Sequence, residues 1–108
     1  MKYDLVGRNL VIHLPGEVDE HSIQGLAGEV EACLSQYEIE RIVLDFSGVS
    51  FMDSTGIGVI LGRYKQMAAR RGSVAIYGAK GRVRQLIHMA GMEKLIQVCG
   101  TEADALKQ

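Results

Sequence analysis

The run Ile39-Glu40-Arg41-Ile42-Val43-Leu44-Asp45-Phe46 constrains this chain more than any other stretch. It is short, β-branched and almost continuously apolar at its centre, the pattern of a central strand covered on both faces. Such a strand needs helices against its sheet, and the flanking sequence supplies them. Upstream, Ile23, Leu26, Val30, Cys33 or Leu34, and Tyr37 recur at three-to-four spacing, behind Asp19 or Ser22 as the helix cap. Downstream, the chain leaves through Ser47-Gly48-Val49-Ser50-Phe51-Met52 and enters a second helix at Asp53-Ser54-Thr55-Gly56. There Ile57, Ile60 or Leu61, Tyr64, and Met67 or Ala68 make the apolar stripe. Arg63, Lys65, Gln66, Arg70 and Arg71 are assigned to water, and Gly72 is the stop.

The remaining segments extend the same alternation. Tyr3 to Leu14, broken by Gly7-Arg8-Asn9, reads as two short strands joined by a tight turn, with Pro15-Gly16 ending the second. Ser73 to Tyr77 reads as another strand, Arg82 to Met89 or Ala90 as a third helix, Leu95 to Cys99 as a last strand, and the terminus as a weak helix. Strand-helix-strand units need helical crossovers, so the expected fold is α/β, a mixed β-sheet with helices packed against it. At 108 residues, without a repeat or linker, residues 1–108 are expected to form a single domain.

Composition excludes several roles. Charged residues or Pro15 interrupt every apolar run well before the roughly 20 residues needed to cross a bilayer, so no membrane role is expected. The start, Met1-Lys2-Tyr3-Asp4, enters strand-like sequence without a secretory pattern, and the expected location is cytoplasmic. Cys33 and Cys99 lie far apart in apolar surroundings and read as free thiols. The net charge of -1 argues against direct nucleic-acid binding. That balance is uneven along the chain: ten acidic and three basic residues precede Arg63, whereas three acidic and nine basic residues follow from it onward. Distinct acidic and basic areas on one surface orient a protein partner better than they collect a polyanion.

Asp53-Ser54-Thr55-Gly56 is the most informative short motif. A strand releases the chain straight into a helix, so Asp53 or Ser54 can cap the first amides, while Gly56 and Gly58 leave room for close approach. A hydroxyl at that point is also a phosphate acceptor whose product meets favourable amide dipoles but lies beside Asp53. Ser54 lacks the flanking glycines of a hydrolase elbow, since Met52 stands two residues before it. His13, His21 and His88 read as a strand side chain, a helix-start surface group and a helix-face group rather than as catalytic bases. Asp45 and Asp53 lack further converging ligands, so no metal is expected. Gly78-Ala79-Lys80-Gly81 is not a complete phosphate loop and reads as a turn. Met67, Met89 and Met92 read as core fillers or adaptable interface residues, and Phe51 is open to either burial or partner anchoring.

From Phe51 to Gln66 the chain, Phe51-Met52-Asp53-Ser54-Thr55-Gly56-Ile57-Gly58-Val59-Ile60-Leu61-Gly62-Arg63-Tyr64-Lys65-Gln66, closely resembles the signature of bacterial anti-sigma factor antagonists of the STAS family. Gly16-Glu17-Val18-Asp19 resembles the family's early functional turn, and Val43-Leu44-Asp45 precedes the expected switch segment. Pro15 departs from the polar residue expected before that turn.

This resemblance implies a STAS-like domain that is not an enzyme but a partner-regulated substrate. Its partner would be a serine-kinase anti-sigma factor, and binding would indirectly release a sporulation sigma factor. Ser54 would be the phosphoacceptor, with Thr55 a nearby hydroxyl; Asp19 and Asp53 would support kinase recognition or phosphorylation. A serine phosphatase would restore the hydroxyl. No intrinsic cofactor is implied, Mg-ATP belonging to the kinase. The alternative is a STAS-like scaffold or signalling module for another kinase partner.

Overall fold

The computed structural model describes residues 1–107. The central run forms β4, Arg41–Asp45. Before it come β1 (Lys2–Val6), β2 (Asn9–His13), β3 (Glu17–Val18) and α1 (Leu26–Gln36). After it come β5 (Phe51–Met52), α2 (Ser54–Ala68), β6 (Ser73–Tyr77), α3 (Gly81–Met89), a 3-10 turn at Met92–Lys94, β7 (Gln97–Cys99) and α4 (Glu102–Leu106).

The main sheet is five-stranded in the order β1-β2-β4-β6-β7, so β4 occupies the middle. Only β1 is antiparallel to its neighbour; the other three pairings are parallel and are crossed over by α1, α2 and α3. Register explains why β4 is apolar on both sides. Ile42 pairs with Leu10 and Val74, and Leu44 with Ile12 and Ile76; these six enter the larger core with Leu26, Val30, Val59, Ile60, Val83 and Ile87 of the three long helices. Val43, between Val11 and Ala75, faces the opposite side, where α4 presents Ala105. Arg41 fixes α4 by donating from Nη1 to the Ala105 carbonyl at 2.9 Å and to Gln97 Oε1 at 3.0 Å.

Several local expectations change. The first helix begins at Leu26, behind Gly25 at φ 86, rather than at the Asp19 or Ser22 cap. Asp19 and Ser22 instead close a turn on each other, which satisfies the same amides locally. The second helix ends at Ala68, and Arg71, at φ 61, turns the chain before Gly72. Gly72 is required for a different reason: a Cβ there would approach the Glu40 carbonyl to 2.9 Å. Arg63, assigned to water, is only 7% exposed. It stands three residues after Ile60 and four before Met67, so helical spacing places it on the inward face. Met67 and Met92 are buried, whereas Met89 is 81% exposed.

Candidate functional site

The loops leaving β2 and β4 meet at the carboxyl ends of the parallel strands, where open α/β sheets present their binding surfaces. A second, two-stranded sheet holds them together: β3 runs parallel to β5, with Glu17 opposite Phe51 and Val18 opposite Met52. The Gly16 carbonyl accepts from the Ser50 amide at 2.7 Å, the Phe51 amide at 3.2 Å and the Ser50 hydroxyl at 3.1 Å. Asp19 and Asp53 are the next residues after the paired Val18 and Met52. The small sheet therefore delivers both aspartates side by side, although 34 positions separate the strands.

Each aspartate is then fixed by its own turn. Asp19 Oδ1 accepts from the Ser22 amide at 2.8 Å, while Ser22 Oγ accepts from the Asp19 amide at 3.0 Å. The Ser22 amide, with the Ser22 hydroxyl, holds the Asp19 carboxyl below its ordinary range against the opposing effect of desolvation. Asp53 caps α2, its Oδ1 accepting from the Thr55 amide at 2.9 Å. Ser54 follows as the first helical residue, exposed, its hydroxyl without a protein hydrogen-bond partner among the described residues. Thr55 is half-buried and turned toward α1. Gly56 is buried against β5, where a Cβ would come within 2.5 Å of Met52 Sδ. The close seating of that first turn on β5 aims Ser54 outward.

Beneath this surface a polar network anchors the same loops. His13 Nδ1 lies 2.6 Å from Asp45 Oδ2 and His13 Nε2 lies 2.7 Å from Asp4 Oδ2. Asp45 Oδ1 accepts from the Ser47 hydroxyl at 2.6 Å and amide at 2.8 Å, so the network reaches the loop that leads to Ser54. Partial burial disfavours the His13 cation, but Asp45 and Asp4 outweigh it and raise the pKa. Burial likewise opposes Asp45 ionisation, and Ser47 and His13 outweigh it and lower that pKa. A raised histidine pKa contributes stability that is complete below the unfolded value of about 6.5 and is lost as pH rises through the folded value. Urea midpoints are therefore expected to fall as pH rises above about 6.5 in the wild type and to fall less in His13→Gln. Equal slopes in the two proteins would remove His13 as the source.

Phe51 is 55% exposed on the outer side of β5, near Arg82 of α3. The sequence left its placement open; its side chain belongs to the surface around Ser54. His21 is exposed, and His88 pairs with Glu93 at 2.6 Å. Neither joins Ser54 in a hydrogen-bonded catalytic set among the described residues. No group of three or more His, Cys, Asp or Glu among the described residues is placed to hold a metal ion. Cys33 and Cys99 are free thiols. No helix of the described residues is long and apolar enough to cross a membrane.

The STAS domain model matches residues 2–105. The chain belongs to the STAS-domain family. Among proteins similar to this STAS chain is an anti-sigma F factor antagonist of Paenibacillus polymyxa, 33% identical over 99 residues that cover 92% of this chain and 85% of the relative. An anti-sigma-B factor antagonist of Listeria monocytogenes is 32% identical over 96 residues, covering 86% and 81%. The solved structure of the anti-sigma factor antagonist SpoIIAA in its unphosphorylated form aligns with a TM-score of 0.83 at 28% identity, covering 97% of this chain and 91% of SpoIIAA. The Bacillus protein in its phosphorylated form aligns with a TM-score of 0.76 at 27% identity, covering 97% and 95%. The STAS fold expected from the sequence is thus the fold observed, and the relatives are regulatory binding proteins rather than enzymes.

Proposed function

We propose that this STAS protein is an anti-sigma factor antagonist switched by phosphorylation of Ser54. The observation that carries the reading is the placement of Ser54: an exposed, unbonded hydroxyl on the first turn of α2, beside Asp53 and the Asp19 turn. Unmodified, this surface binds a serine-kinase anti-sigma factor and so releases the sigma factor that partner holds. The partner also supplies Mg-ATP. The γ-phosphoryl group passes to Ser54 Oγ, ADP leaves and the hydroxyl proton is released. A serine phosphatase reverses the modification by hydrolysis. Asp19 and Asp53 present fixed carboxylates to the kinase, and the exchange takes place in the cytoplasm.

A phosphate at Ser54 need not unfold the domain. It would extend from an already exposed position, near helix amides that favour negative charge. The availability of SpoIIAA in both forms, each aligning over 97% of this chain, supports a switch that acts on binding rather than on the fold. The sigma-F relative supports a sporulation sigma factor as the final target, and the sigma-B relative marks the competing assignment. Adjacent genes for a kinase anti-sigma factor and its sigma factor would decide between them.

The test is incubation with the candidate kinase and Mg-ATP, followed by intact and fragment mass measurement. One phosphate is expected on Ser54 and none in Ser54→Ala. Failure of an independently active cognate kinase to modify the wild type would overturn the switch; phosphate retained in Ser54→Ala would move the acceptor to Thr55 or another hydroxyl.

A further inference from the structure

The two edges of the main sheet are guarded differently. β7 is three residues long, whereas β1 runs for five in unbroken register with β2 and contains neither proline nor bulge. On the inner side of β2 the Arg8 carbonyl accepts from the Arg41 amide at 3.3 Å, so alternation turns Leu10 and Ile12 toward β4 and leaves Asn9, Val11 and His13 to bond β1. Their partners are Val6, Asp4 and Lys2. The main-chain amides and carbonyls of Tyr3 and Leu5 therefore point out of the sheet, where another strand can meet them.

The side chains of this edge are apolar on one face and charged on the other. Leu5 and Tyr37, the residue after α1, are each 45% exposed and share a shallow groove of about 280 Å³ with Tyr3 and Cys33. Met1, also exposed, alternates with Tyr3 and Leu5. Asp4 engages His13 through Oδ2 and keeps nearly half of its side chain in solvent. Among the described residues, Lys2 pairs with no carboxylate.

Charge selects both the occupant of this edge and its register. Two antiparallel copies of β1 centred on Asp4 would set one carboxylate against the other, and centred on Leu5 would set Lys2 against Arg8. Centred on Tyr3, Lys2 of each copy stands opposite Asp4 of the other in the closer, non-hydrogen-bonded positions, while the two Tyr3 residues exchange main-chain bonds. That register also brings Met1 of one copy beside Leu5 of the other, over the open groove.

We propose that β1 is a docking edge for a second copy of this chain, joined antiparallel about Tyr3 into a two-fold dimer with one continuous sheet. A strand pair of this length falls short of the about 1,600 Å² buried in a standard stable interface, so the dimer is weak, with a Kd of about 10–100 μM. It needs neither kinase nor phosphate, and so stands or falls apart from the Ser54 switch.

The test is sedimentation equilibrium of the full, unphosphorylated chain from about 5 to 500 μM. Lys2→Glu sets like charges together at both ends of the pair and is expected to weaken the dimer at least about tenfold, as is Asp4→Lys. An equimolar mixture of those two variants restores both opposite pairs and should return to within about threefold of the wild type. In the Asp4-centred register Lys2 would face Val6, so the Lys2→Glu effect also reads the register. Leu5→Pro removes an outward amide at an edge position and should abolish pairing. If Asp4→Lys, which loses the His13 contact, fails to fold, Lys2→Glu and Leu5→Pro carry the comparison. A chain still monomeric at the highest concentration, a dimer left unchanged by Lys2→Glu or Leu5→Pro, or a mixture no tighter than its folded components would each overturn the proposal.

Discussion

Stoichiometric phosphorylation of Ser54 is expected to weaken binding to the anti-sigma factor by on the order of a hundredfold, about 3 kcal/mol. The magnitude follows from where the charge arrives. Asp53 already commits Oδ1 to the Thr55 amide, and Asp19 stands at the end of the neighbouring strand. A phosphate adds nearly two negative charges to that pair and must lose water if a partner covers it. The helix amides offset part of the cost within the free domain but none of the repulsion toward an acidic partner group. Titration calorimetry with the separated phosphoprotein checks the value. Ser54→Ala should stay within about threefold of the wild type, and Ser54→Asp should fall between, because it carries less charge and fewer acceptor oxygens. Wild-type affinity in the phosphoprotein would end the charge-ejection account, even if the modification itself occurs.

The second large effect is on the scaffold beneath that surface. Gly78, directly after β6, has φ 82, and a Cβ there would lie 2.9 Å from the Ser47 backbone nitrogen and 3.0 Å from its Cα. Gly78→Ala therefore meets both a left-handed backbone and a contact with main chain, which cannot swing aside as a flexible side chain can. A loss of about 2–4 kcal/mol in folding stability is expected from denaturant melts. Because Ser47 opens the loop toward β5, the same change should shift the amide resonances of Phe51 to Thr55. A stable variant with an unchanged spectrum there would show that the two loops are not coupled at this contact.

Much of this architecture is readable along the chain because its signals are periodic. The apolar run of β4, the hairpin turn at Gly7-Arg8 and the entry to α2 at Asp53 each match a local physical requirement, and each is present. The small β3–β5 sheet is not readable in that way. Strands of two residues are too short to show alternation, and their pairing is a property of the folded loops. Asp19 illustrates a different ambiguity, since the residue types that cap a helix also close a turn. The resemblance singled out Asp19, but its neighbour across the small sheet was visible only in three dimensions. For Arg63, charge argued for solvent and spacing for the interior. The structure follows the spacing, and Arg63 lies buried inside the apolar stripe.

The five-residue α4 gives the two sides of the sheet unequal staying power. Such a helix is too short to persist alone and depends on Ala105 and the Arg41 contact for its place. The side chains it shields should consequently meet solvent more often than those under α1, α2 and α3. Brief excursions of the terminus would bare Val11, Val43 and Ala75 while the helix bearing Ser54 stays seated on the opposite side. That breathing couples to the Ser54 side at the carboxyl ends of β2 and β4, where His13 and Asp45 share the face of Val11 and Val43 and Asp45 holds Ser47.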